Sequence, residues 1–494
     1  MGLYVLIGIP LLLMVVYGFL YTLESKATFP KNVPIVGYAQ HGRPFVVYDP
    51  SAQQELLLPA QYVKWFAEQS DSKLNSLGVR QERHAVRYLH LGADVELAST
   101  TQFIRLISND CLNQHLEALM GPLQDEMRRC IDAAFMNASS QNEWSTINVY
   151  SCIQDIVFPA MCRVFFGQSD MDPRLLKALQ RYITVLGLST IFVGELPHML
   201  KGLLARLVRM PLAYYRNQTL RILIPLVESQ LSRRDGSDES SFIRQCARLS
   251  EKNAVGGRGN AVAPQGFAGS SSTVIQATNL LLDIANCPPE MQVLQELRHE
   301  AEITLPDEEL WHKVATFRKQ VLADSVIRES LRMHPILIKG LTQEVVSPAG
   351  LQLPDGTNMP VGSWVGIPVL GIHKDEKFYP QADLYQPFRY VKKREAIPSR
   401  INSDDHSQSA PARAEVWDDE SESTKPTTTY LGFGYGRHAC PGRWFAVVML
   451  KMITSHVSMN YDIESTGPVP QTMVLGDAAL PPIWATIRVR RRIT

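Results

Sequence analysis

The chain has 494 residues with 49 Lys and Arg against 49 Asp and Glu, so its formal charge is zero and nothing in that balance points to nucleic acid. Hydrophobic residues make up 45%, enough for a large core and too many for a disordered chain. The seven cysteines (Cys111, Cys130, Cys152, Cys162, Cys246, Cys287, Cys440) are odd in number and form no C-x-x-C pair, which excludes a disulfide framework and reads as buried thiols of a reducing compartment plus one working thiol.

Residues 2–23 carry no charge and are rich in Leu, Ile, Val and Tyr. About 20 such residues at about 1.5 Å each cross the roughly 30 Å hydrocarbon core. No A-x-A cleavage site follows, so residues 1–24 are expected to form an uncleaved, single-pass transmembrane anchor. Lys26 and Lys31 follow the run and no Lys or Arg precedes it, which places the rest of the chain in the cytoplasm. Pro30 and Pro34 stiffen residues 25–40 into an extended connector, and residues 41–494 are expected to form one domain.

Helical patterning dominates from Asp49 to about residue 250, as in Pro59 to Leu74 and Ile104 to Met127. The run Lys201 to Tyr215, with Arg206 and Arg209 among leucines, reads either as a helix lying on a membrane surface or as an ordinary amphipathic surface helix. Asn137-Ala138-Ser139 and Asn217-Gln218-Thr219 are glycosylation sequons, which a cytoplasmic location keeps unmodified. Residues 251–266 are a Gly- and Asn-rich loop before a long helix expected from about Phe267 to Asn286. Inside that helix stand Ser270, Ser271, Ser272 and Thr273, unfavourable by propensity because their hydroxyls compete for the backbone. Glu329 and Arg332 follow at i, i+3 on one helix face, close enough to pair. Gln343 to Val369 alternates around a hairpin signal, Pro354-Asp355-Gly356, and the polar residues 394–427 read as a solvated insertion.

Near the C-terminus a glycine-rich loop, Phe433-Gly434-Tyr435-Gly436-Arg437-His438-Ala439, leads to Cys440-Pro441-Gly442-Arg443 and then to the apolar run Trp444 to Ile453. The run reads as a buried helix with Cys440 at its N-terminus and Pro441 at its first position, where the helix dipole lowers a thiol's pKa. A lone thiolate in that setting suits axial ligation of haem iron, onto which it pushes electron density. No second ligand pair at zinc spacing accompanies His438 and Cys440.

Phe433, Gly436, His438, Cys440 and Gly442 match F-x-x-G-x-[R/H]-x-C-x-G at every position, and the chain resembles the cytochrome P450 family. The longer run from Gly436 to Ala446 is similar to the fungal secondary-metabolite branch. The resemblance implies a mainly α fold with a small β-sheet region. Haem would be ligated by Cys440 and cradled by Phe433, Gly434, Gly436, Arg437, His438 and Gly442. The patch Ala268 to Thr273 corresponds to A-G-x-[D/E]-T-T, with Ser271 at the acid position, Ser272 at the alcohol position and Thr273 after it. Glu329 and Arg332 correspond to the family's E-x-x-R, and Arg389 to the arginine that completes a buried structural triad. The W-x-x-x-R that often holds a haem propionate is missing around residues 112–126, which leaves that partner unassigned, and the arginine that commonly holds a propionate in the small-sheet region is not evident either, leaving Lys339 as its substitute.

The implied function is monooxygenation of an apolar small molecule, a terpenoid, meroterpenoid or alkaloid-like secondary metabolite. Electrons would come from NADPH-cytochrome P450 reductase at the endoplasmic reticulum membrane, with cytochrome b5 as a second donor. A separate reductase is needed because no G-x-G-x-x-G after a strand is present. Two alternatives remain at this stage: the same scaffold catalysing oxidative coupling, dehydrogenation or rearrangement, and a non-catalytic haem binder.

Overall fold

Apolar residues at helical spacing become long helices over most of the chain in the computed structural model, which describes residues 42–47, 55–89, 112–136, 143–167, 171–196, 198–232, 268–391, 422–468 and 471–492. The expected anchor, the connector, Cys111, the Asn137 sequon, Cys246, the 251–266 loop and most of the 394–427 insertion lie outside the described residues. The principal helices are α1 (Ser76–Arg83), α2 (Leu116–Met136), α3 (Val149–Phe166), α4 (Pro173–Gly194), α5 (His198–Ser232), α6 (Ala268–Ala285), α7 (Val293–Thr304), α8 (Val321–Met333) and α9 (Arg443–Asn460).

Short polar side chains start several of them. Asn75 accepts from Leu77 N (2.7 Å), Asn148 from Ser151 N (2.8 Å), and Asp172 from Arg174 N (2.8 Å) ahead of Pro173 in the first turn. Gly167 ends α3 at φ 70°, the left-handed conformation that glycine adopts without strain. α3 is long and apolar enough to cross a membrane, but it is enclosed by α2, α4 and α6 and is a core helix.

One expectation changes, and one helix is longer than expected. Pro59 to Leu74 is helical only in short turns, Ala60–Tyr62 and Val63–Ala67. The Ser70-Asp71-Ser72 cluster ends them, and Leu74 then pairs with Val345 as a strand. The basic apolar run is part of one 35-residue helix, α5, which continues through Pro211 and Pro225.

The strands are short: β1 (Phe45–Val47), β2 (Glu55–Leu57), β3 (Leu74–Asn75), β4 (Ser145–Asn148), β5 (Gly340–Val345), β6 (Leu351–Gln352), β7 (Asn358–Met359), β8 (Trp364–Ile367), β9 (Tyr461–Ser465), β10 (Met473–Leu475), β11 (Ala478–Leu480) and β12 (Thr486–Arg491). The largest sheet has the order β1-β2-β8-β5-β3, with β2 parallel to β8. Pro354-Asp355-Gly356 makes the expected turn between β6 and β7, with Asp355 Oδ1 accepting from Thr357 N (2.9 Å) and Gly356 at φ 87°.

There are two hydrophobic clusters among the described residues. The larger lies among α2, α3, α6, α8 and α9; the smaller lies under the five-stranded sheet and includes Phe66, Val365, Ile367, Ile372 and Leu431. Leu431 begins the cysteine loop, so that loop is seated on the sheet's own core.

A buried polar knot ties the helical cluster to the segment that precedes the loop. Asp324 of α8 pairs with Lys451 of α9 (2.6 Å) and accepts from Ser423 N (2.7 Å) and Ser423 Oγ (2.9 Å). Lys451 Nζ also donates to Phe317 O (2.9 Å), and both charged side chains are almost wholly buried. Asp324→Ala strands the Lys451 charge and should cost about 3–5 kcal/mol, read from denaturant midpoints. The double variant Asp324→Ala with Lys451→Met should recover most of that loss, because it leaves no unpaired charge.

Candidate functional site

The loop carrying Cys440 is closed by a short bond from Cys440 N to Phe433 O (2.7 Å). Gly434 and Gly436 take φ 77° and 56°, and a Cβ on Gly434 would stand 2.9 Å from His438 O, so a side chain there meets both strain and backbone. Helix α9 begins at Arg443 with Gly442 as its cap, so Pro441 lies in the preceding turn and not at the first helical position.

The Cys440 side chain is accessible, yet the loop around it displaces enough water that desolvation raises the thiol's pKa, while the Gly442 N–H and the Arg443 guanidinium pull it down. Desolvation wins, which reverses the expected depression. A metal cation at the sulfur would restore it, because a coordinating thiol is deprotonated outright. Arg443 is fixed by Nε to Thr424 O (2.9 Å), by a nitrogen to Cys440 O (2.8 Å), and by the face of Trp444. Arg437 pairs with Asp71 (2.9 Å) and donates to Gln69 O, tying the loop to the turn that follows Val63–Ala67. His438 is half-buried within the loop.

Glu329 and Arg332 are fully buried and meet through two bonds of 2.8 Å. Arg332 spends its remaining nitrogen on His373 O (2.5 Å) and Ala382 O (2.8 Å). Glu329 also receives Arg389 Nε (3.0 Å) and Gln386 N (3.1 Å). Glu329 and Arg332, expected from their spacing, and Arg389, implied by the resemblance, are thus brought together.

A fourth residue, His373, carries the contact onward. Its Nε2 accepts from Leu431 N (2.8 Å), which fixes the tautomer so that Nδ1–H donates to Arg332 O (2.9 Å). Desolvation holds the imidazole's pKa down at about 3. The only trace of His373 in the sequence is a lone histidine after an apolar stretch, a signal too common to use.

Helix α6 packs on α8 and α9. Ser272 Oγ and Thr273 Oγ1 both donate to Gly269 O (2.9 and 3.1 Å), Ser271 is half-buried, and Ser270 is fully buried. On another side Asn113 Nδ2 donates to Pro441 O (2.8 Å), which places the start of α2 against the cysteine turn. Lys339 is held by Glu55 (3.0 Å) and Asp477 (2.8 Å) and is thereby committed elsewhere than to a propionate.

A match to the family Cytochrome P450 runs over residues 40–483. The chain belongs to the cytochrome P450 family. It is 56% identical to cytochrome P450 monooxygenase fsoD of Humicola fuscoatra, over 94% of each chain. It is 54% identical to cytochrome P450 monooxygenase efuH of Hormonema carpetanum, over 91% of this chain and 80% of that one. A more distant relative, cytochrome P450 monooxygenase polB of Polytolypa hystricis, is 31% identical over 92% and 88%.

As a cytochrome P450 monooxygenase the enzyme uses a haem-thiolate cofactor, and the residues present fit that group. Cys440, accessible at the end of the glycine loop that the Cys440 N to Phe433 O bond closes, would hold the haem iron through its sulfur. His115, two residues from Asn113, has a buried Nδ1 without a hydrogen-bond partner among the described residues, a donor suited to a haem carboxylate. When bound, the haem supplies the redox and oxygen chemistry. The protein's own residues hold the sulfur in place and set its surroundings.

Cys440→Ser should fold and abolish the red-shifted ferrous-carbonyl Soret band of thiolate ligation; persistence of that band would exclude Cys440 as the ligand. His373 makes a pH prediction. Its imidazole is neutral when folded down to about pH 3 but protonates near its ordinary value of about 6.5 when unfolded, so the unfolded chain binds more protons between those limits. Stability should therefore fall as pH drops from about 6.5, by at most about 1.4 kcal/mol per pH unit. His373→Gln should be less stable at neutral pH and show a shallower fall between pH 6.5 and 5 in denaturant titrations.

Proposed function

We propose that this cytochrome P450 monooxygenase inserts oxygen into an apolar small molecule of fungal secondary metabolism, of terpenoid, meroterpenoid or alkaloid type, while anchored to the endoplasmic reticulum membrane with its catalytic domain in the cytoplasm. One observation of the structure carries the membrane-bound, apolar-substrate reading. Leu203, Leu207, Met210 and Tyr214 of α5 stand at i, i+4, i+7 and i+11 and are 63%, 53%, 70% and 59% exposed. They form a single apolar stripe beside Arg206 and Arg209, the pattern of a helix lying in a lipid headgroup layer. An enzyme so placed draws an apolar substrate from the bilayer. The uncharged residues 2–23 and the fungal relatives support the same reading.

Electrons from NADPH reach the haem through cytochrome P450 reductase, with cytochrome b5 as a further donor. Ser271 provides no carboxyl where the resemblance places the family's acid, which favours a second reading in which the substrate is coupled, dehydrogenated or rearranged without gaining oxygen.

Protease added to intact microsomes should digest the catalytic domain, and protection would reverse the topology. A chain lacking residues 1–24 should keep residual binding to anionic vesicles that Leu207→Asp with Met210→Asp removes. With reductase and substrate extract from the producing fungus, the product should be heavier by one oxygen atom; a loss of two hydrogens would establish the second reading instead.

A further inference from the structure

Of the polar residues of helix α6, Ser272, Gln276, Asn279 and Asp283 fall, at 100° per residue, within an arc of about 60°. Gln276, Asn279 and Asp283 are 5%, 3% and 8% exposed. This stripe faces the end of α8. Gln276 Nε2 donates to His334 O (2.9 Å), and Asp283 Oδ1 lies 3.0 Å from His334 Nε2. The other imidazole nitrogen of His334 is 3.0 Å from Thr472 Oγ1, next to the exposed Gln471. A hydrogen-bonded line therefore runs from the surface at residues 471–472 through His334 to Asp283.

Three buried atoms on the stripe have no hydrogen-bond partner among the described residues: Gln276 Oε1, Asn279 Nδ2 and Asp283 Oδ2. Two are acceptors and one a donor, and successive Cα atoms rise about 4.5 and 6 Å along the helix, separations that single bridging waters span. The neighbouring titratable groups do not fill these valences. Tyr385 OH donates to Val326 O (3.1 Å) and Cys287 Sγ to the Asp283 carbonyl (3.2 Å). Buried polar atoms in such an arrangement take ordered water.

We propose that Gln276, Asn279 and Asp283 hold a file of ordered water that, with His334 and Thr472, delivers protons from solvent to Ser272. In oxygen insertion one dioxygen, two electrons from the reductase and two solvent protons give one oxygen in the substrate and one in water. Each proton passes from His334 Nε2 to Asp283 Oδ1; the carboxylic acid so formed turns about its Cβ–Cγ bond, gives that O–H proton to the water and returns to carboxylate, and the proton moves along the amide-held file toward the Ser272 hydroxyl. Solvent re-protonates His334 at the Thr472 end. Asp283 and His334 are positioning residues here, standing in for the carboxyl that Ser271 lacks. The inference rests on the cytochrome P450 reading but not on which product forms, since dioxygen ends as water in the coupling and dehydrogenation reactions as well.

A crystal structure of the haem-loaded protein that resolves ordered water should show waters within hydrogen-bond distance of all three atoms. Direct side-chain contacts with no water there would overturn the file. Asp283→Asn and Asn279→Leu should keep haem content and the ferrous-carbonyl band, raise hydrogen peroxide per NADPH on the order of tenfold, and change the solvent deuterium isotope effect on turnover. Asp283→Glu should restore coupling. Unchanged peroxide yield and isotope effect in Asp283→Asn would overturn the relay. Product mass is read separately, so a failure of oxygen insertion is not mistaken for a failure of the relay.

Discussion

A guanidinium with no access to water tolerates its position only if every donor finds an acceptor, and Arg332 sets that condition for the segments packed around α8. Its donors reach Glu329, His373 O and Ala382 O, and Glu329 in turn gathers Arg389 and Gln386 N. A buried ion pair of this kind adds little net stability over a packed apolar pair. Its value is geometric: it pulls the segments around residues 373, 382 and 386–389 onto α8 in one arrangement. His373 then hands that order to Leu431, where the cysteine loop begins.

The loop is over-determined in other ways. Arg328 lies between the rings of Tyr390 and Tyr430 (4.7 and 4.0 Å), Tyr430 OH donates to Ser423 O, and Ser423 is itself held by Asp324. Arg443, Arg437 and Asn113 tie the far side of the loop to Thr424, Asp71 and α2 neighbours. A haem iron that Cys440 would hold through its sulfur would take its position from that atom, and the frame fixes the loop that carries it. Glycines that would loosen a free chain serve here because the frame supplies the rigidity they lack.

Helix α6 shows a local cost accepted for a site. Serines at 270–272 weaken the helix, and two of the patch's hydroxyls turn back onto the single carbonyl of Gly269. The polar stripe below them is buried where apolar side chains would pack better. Such disagreements between local preference and global fold collect at functional sites, and in this chain they collect on α6, the helix packed on α8 and α9.

Read alone, the sequence determined the features that depend on neighbours along the chain. The glycine and cysteine spacing of residues 433–442, the i, i+3 pair Glu329 and Arg332, the end of α6 to within a residue, and the Pro354-Asp355-Gly356 turn are all local, and all appear where the pattern puts them. Tertiary structure alone decided what depends on residues far apart in sequence. His373 between Arg332 and Leu431, Lys339 taken by Glu55 and Asp477, Leu74 turned into a strand by Val345, and a Cys440 thiol raised by its surroundings are of this kind. A single histidine or lysine carries no periodicity, and desolvation depends on which groups displace water. Those quantities come into being only when distant segments are packed together.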